Sequence, residues 1–151
     1  MNARLISVCL VFIASLLTIP GCGGGEGEDP LTVAQLVRQA NSICEKASER
    51  QFVELGKALD RKTDEPSKSA RQAELEEATV EVVLPEAGTM IAELEELVPP
   101  PAAEGKYNSV IRKLKMGLKK AEDSPKLFLS GKAFVSANQE ASELTLEKCN
   151  L

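Results

Sequence analysis

After residue 30 the apolar residues recur at three- and four-residue intervals, the period of helices that bury one face. The first such stretch opens on "LTVAQL" (31–36). Thr32 as N-cap and Gln35 three residues on make a capping box, and Leu31 with Leu36 supplies the hydrophobic staple around it. A stripe through Val33, Leu36, Val37, Ala40, Cys44, Ala47, Phe52, Leu55 and Leu59 predicts a helix to about residue 62. Pro66 and the turn-forming residues of "TDEPS" (63–67) end it.

A second helix is predicted over about 67–98, with Val80, Val83, Leu84, Ala87, Met90, Ile91 and Leu94 in its stripe. Pro85 sits inside that pattern. Its missing N–H and the clash of its ring with the Glu81 carbonyl predict a kink, and Gly88 softens the same region. "PPP" (99–101) stops the element. A third helix, about 102–122, carries Tyr107, Val110, Ile111, Leu114, Leu118 and Ala121 on one face. A fourth starts with Ser124 as N-cap and Pro125 in the first helical position, and runs to Leu146 with a point of interruption at Gly131.

No segment alternates strictly, so no sheet is predicted and the fold class is all-α. Short connections favour an antiparallel up-down four-helix bundle, its first two helices longer than the last two and its second kinked at Pro85. At about 1.5 Å per residue the first two helices reach about 45 Å. Their tip, around residues 55–75, is expected to project beyond the shorter pair.

Ahead of this domain, Arg4 is the only charge before the apolar run "LISVCLVFIASLLTI" (5–19). That is the architecture of a secretory leader. An uncleaved membrane span is the weaker reading, because the run falls short of roughly 20 apolar residues and empties into glycine. Its end, Ile19-Pro20-Gly21-Cys22, resembles a bacterial lipobox, with proline as a departure from the usual pattern. The resemblance implies diacylglyceryl attachment to the Cys22 thiol, cleavage after Gly21 and acylation of the new amino terminus. Residues 1–21 are then a lipoprotein signal peptide, 22–30 the lipidated cysteine and a Gly-rich tether, and 31–151 the helical domain. "GGGEGEDP" (23–30) has no side chain able to bury apolar area, and its eight residues span about 15 Å as a flexible coil. The expected location is extracytoplasmic, lipid-anchored to the cell membrane; the alternative is an ordinary secreted chain with a free cysteine near its start.

Of four cysteines, Cys9 leaves with the leader and Cys22 takes lipid, so Cys44 and Cys149 remain. In an exported protein the pair favours a disulfide. It would close a loop of about 105 residues, for which chain entropy gives at most about 4.7 kcal/mol. Two buried free thiols are the alternative.

The formal net charge of −5 argues against general nucleic-acid binding. Four phenylalanines, one tyrosine and no tryptophan leave little for stacking on bases or sugars. The chain has no histidine, which removes imidazole acid–base catalysis, histidine metal ligation and the ferritin-like di-iron pattern.

The lipobox, the early helix "LVRQANSICEKA" (36–47), the mid-chain "LPEAGTMIAELEELVPP" (84–100) and the terminal "LTLEKCN" (144–150) together resemble a family of small actinobacterial lipoproteins of unknown function. The resemblance implies the helical fold, the localisation and the disulfide, and brings no catalytic residue.

Three stretches are candidate chemistry. The second helix is acidic, from Glu74 to Glu96, and carboxylate clusters can hold hard cations, but no EF-hand spacing occurs and a solvated face explains it. The third helix is basic, with Lys106, Arg112, Lys113, Lys115, Lys119 and Lys120. It is expected to pair with the acidic helix beside it, with anionic headgroups as the alternative. "LTVAQ" (31–35) resembles the Leu-Thr-x-x-Gln signature of helical envelope-stress chaperones, though the capping box already uses those residues. No nucleophile elbow, phosphate-binding loop or metal spacing occurs, so no enzyme activity, cofactor or metal is expected. The expected role is a non-enzymatic binding or scaffolding module for an envelope partner. The alternatives are a small-ligand carrier with a pocket between helices near Pro85 and Gly88, and an envelope holdase.

Overall fold

The computed structural model describes residues 29–60 and 67–151, and every described element is helical. The leader, Cys22 and the glycines of the tether lie outside the described residues.

Helix α1 (Val33–Asp60) begins on the predicted capping box. The Gln35 N–H donates to Thr32 Oγ1 at 3.3 Å while the Thr32 N–H donates to Gln35 Oε1 at 2.9 Å. Leu31 N–H donates to the Val98 carbonyl at 3.0 Å, which ties the entry of α1 to the connection before the third predicted helix. Leu36, Ala40, Cys44 and Ala47 are the buried positions. Phe52 departs from the predicted stripe: it lies about 100° around the helix from Gln51, which continues the buried line, and is 81 % exposed.

The second predicted helix is a run of three segments: α2 (Lys68–Ala78), a π-helical turn over Thr79–Val83, and α3 (Leu84–Glu95). Ser67 caps its start, its hydroxyl accepting from the Ala70 N–H. The irregularity is the π turn just before Pro85, and the residues on either side of it, Ala78 and Leu84, keep right-handed helical angles. There the Leu84 N–H reaches back to the Thr79 carbonyl, a widened turn beside the residue whose ring crowds the carbonyl four positions earlier. The expected projecting tip includes residues 61–66 and lies partly outside the described residues.

Helix α4 (Pro101–Asp123) matches the third predicted helix and buries Tyr107, Val110, Ile111, Leu114, Gly117 and Ala121. The fourth divides at the interruption expected at Gly131, into α5 (Pro125–Leu129) and α6 (Val135–Glu143), and it ends at Glu143 rather than at Leu146, with a 3-10 turn (Glu147–Cys149) following. Gly131, at φ +68°, ends α5 with two backbone bonds, Gly131 N–H to Phe128 and Lys132 N–H to Leu127. Such a Schellman motif needs a left-handed residue. The break lets Phe134 turn inward, where it is buried and meets Phe128 edge-on with ring centres 6.1 Å apart. Thr145, at φ 58°, ends α6 the same way with a residue that disfavours the angle.

Helix α1 packs on α3, α3 on α4 and α4 on α6, and the 3-10 turn returns to α1. The core cluster runs from Leu31 to Leu151, so this segment holds its own apolar interior.

Candidate functional site

Cys44 and Cys149 are both buried, with sulfurs 1.98 Å apart at disulfide distance and Cα atoms 5.0 Å apart. Two asparagines hold the same C-terminal strap. Asn41 on α1 donates to the Thr145 carbonyl and accepts from the Lys148 N–H, both at 3.0 Å. Asn138 on α6 donates to the Leu151 carbonyl at 2.8 Å and accepts from its N–H at 3.2 Å. Sequence reading passed over both, because an isolated asparagine inside a helix carries no signal of a backbone partner more than a dozen residues away.

The region near Pro85 and Gly88 holds a hollow of about 260 Å³ between α3 and α4, lined by Val80, Leu84, Pro85, Gly88, Leu118 and Glu122. It opens to solvent. A methyl group placed on Gly88 would meet Leu118 at 3.7 Å, ordinary contact, so the two helices already touch there.

Helix α1 presents the other feature. Phe52 and Val53 stand side by side on its outer surface, 81 % and 52 % exposed. Beside Val53 a hollow of about 550 Å³ lies between α1 and α3, bordered by Lys46, Glu49, Arg50, Glu54 and Glu86. Arg50 is fixed at its edge by Glu86 at 2.9 Å and Glu93 at 3.2 Å. The Glu86 hydrogen bond, more than the added charge of Glu93, holds the guanidinium above its ordinary pKa. Phe52 and Val53 are thus two exposed apolar side chains at the margin of a hollow edged by a fixed cation.

The basic α4 divides its cations. Lys115 pairs with Glu95 of α3, whereas Lys113 pairs with Glu140 of α6 at 2.9 Å and Lys106 approaches Glu143 at 3.9 Å. Pairing with the acidic second helix is therefore only part of the arrangement. The Lys113 ammonium, with Ser109, holds the Glu140 carboxyl below the usual carboxylate range against the opposing effect of burial. Tyr107, read from sequence only as part of an apolar stripe, donates its hydroxyl to the Leu94 carbonyl at 2.7 Å; burial first, then Glu95, pushes the phenol up.

Among the described residues no three of His, Cys, Asp or Glu gather as a metal site, and no helix is long and apolar enough to cross a membrane. Thr32 and Gln35 of the "LTVAQ" stretch are engaged with each other in the cap. The chain matches no family model, no curated protein and no solved structure.

Proposed function

We propose that this chain is a membrane-anchored, non-enzymatic helical binding module at the cell envelope, of the small actinobacterial lipoprotein kind. Cys22 carries the lipid, residues 23–30 give reach, and the domain is an antiparallel up-down bundle of α1, α2–α3, α4 and α5–α6. The Leu31–Val98 hydrogen bond and the Cys44–Cys149 pair, which join distant stretches of chain, support that arrangement. The observation that carries the functional reading is the exposed Phe52–Val53 pair beside the α1–α3 hollow, on a domain that has its own apolar core. An envelope protein that inserts an apolar side chain there is the expected partner. The carrier alternative asks for an enclosed apolar cavity near Pro85 and Gly88, and the hollow found there is open, which favours the binding module.

A photo-crosslinker at Val53 in the native envelope tests it. The expected result is one defined protein adduct that Phe52→Glu abolishes while the domain keeps its helicity. Adducts indifferent to Phe52→Glu would defeat the reading.

A further inference from the structure

On α4 the cations that face neighbouring helices are neutralised, and those that face outward are not. Lys115 is matched on the α3 side and Lys106 and Lys113 on the α6 side. Arg112, Lys119 and Lys120 form no ion pair among the described residues; the Arg112 guanidinium donates to the Ser109 hydroxyl and acts on the Glu140 carboxylate through charge without contact. Arg112, Met116 and Lys119 stand at i, i+4 and i+7, with Lys120 one turn after Met116, so the four share one outward face. Met116 is 54 % exposed in the middle of it.

The segment leading into α6 packs against the buried side of α4. A Cβ on Gly117 would meet the Phe134 ring at 2.5 Å and the Ala133 carbonyl at 3.0 Å, so the Ala133–Phe134 step lies directly against α4. Lys132 and Val135 flank that step; Lys132 is exposed and Val135 is 59 % exposed. The result on α4 is an exposed methionine among three cations, with Asp123 as an acidic residue at the distal end of the face. Cations around shallow apolar residues match an anionic bilayer surface, where the charges meet headgroups and the apolar groups enter the interface.

The geometry points to the α4 face of Arg112, Met116, Lys119 and Lys120 as a docking surface for anionic phospholipid bilayers. It rests on the membrane-anchored reading and adds an orientation to it. From Arg112 to Lys120 the face runs about 12 Å along the helix, within the compass of a surface that the tether already holds close. Helix α1 has α2, α3 and the C-terminal turn as neighbours, and α4 has α3, α5 and α6. With α4 against the lipid, Phe52 and Val53 belong to a different helix from the docked face.

The test is cosedimentation of residues 29–151, which contain the whole core, with vesicles. Binding is expected on phosphatidylglycerol-containing vesicles at low salt, with a loss of about tenfold or more on pure phosphatidylcholine or in high salt. Lys119→Gln with Lys120→Gln should lower the partition coefficient about 25-fold, roughly fivefold for each cation removed. Arg38→Gln with Lys57→Gln, the same change in net charge on α1, should leave it within about twofold. Equal binding to both lipid types, no binding at low salt, or equal losses in the two double variants would overturn the proposal. Binding to soluble polyglutamate as tight as to vesicles would reassign the face to an acidic protein and overturn it as well. The vesicle test needs no lipid on Cys22, so its failure is distinct from a failure of the anchor.

Discussion

Gly117 has no room for a methyl group. The 2.5 Å approach of Phe134 to its missing Cβ means that Gly117→Ala must displace a buried aromatic ring. Overpacking of that kind costs about 1–3 kcal/mol, against a helix gain of at most about 1 kcal/mol for alanine over glycine. Urea unfolding should therefore show Gly117→Ala less stable, although propensity alone predicts the reverse. Glu140 gives a pH-dependent counterpart. Its carboxyl is held low by Lys113, so the stabilisation it supplies is present above the ordinary carboxylate pKa and fades as pH falls through its lowered folded value. Glu140→Gln should lose stability near neutrality and converge with the parent chain in acid; a constant difference across pH would assign the effect to packing. Neither residue was legible in the sequence. Gly117 reads as an ordinary glycine in an amphipathic helix, and only the folded chain brings Phe134 onto it.

Elements were more legible than single residues, and their ends more legible than their middles. The capping box at Thr32 and Gln35 forms at the start of α1, whereas α3 ends at Glu95, ahead of the prolines at 99–101, the last of which opens α4, and α5 starts at Pro125 with Ser124 in the N-cap position but without a side-chain cap bond. Pro85 was visible as a disturbance, but its form as a π turn at Thr79–Val83 depends on packing around the buried Thr79 and Val83. The division of the last helix was foreshadowed by Gly131, whereas nothing in "ELTLEK" (143–148) announces that Thr145 adopts φ 58°. A left-handed conformation costs a non-glycine residue about 1–2 kcal/mol. Thr145→Gly should accordingly raise stability by about 1 kcal/mol in urea melts. A loss instead would mean that the threonine side chain contributes more than its backbone angle costs.

For the whole molecule, a small apolar core is supplemented by long-range ties at one place. Asn41, Asn138 and the Cys44–Cys149 pair all fasten residues 144–151 to α1 and α6. Peptide mapping without reductant should recover the two cysteines as one linked fragment. Cys149→Ser should lower stability by about 2–4 kcal/mol, the usual range for a bridge that closes so long a loop. Charge is partitioned at this scale too, with an outward basic face on α4 and an exposed aromatic on α1. The basic character of α4 was legible in the sequence, whereas which of its cations are paired was not, since that depends on the carboxylates that α3 and α6 bring beside it. The lipobox reading, by contrast, comes from sequence alone, and everything about orientation at a membrane depends on it. Intact-mass analysis of the exported protein, purified from its host's membrane, tests this most directly. The account predicts a chain that starts at Cys22 and carries the added mass of a diacylglyceryl group; a chain that keeps residues 1–21, or starts unmodified, would contradict it.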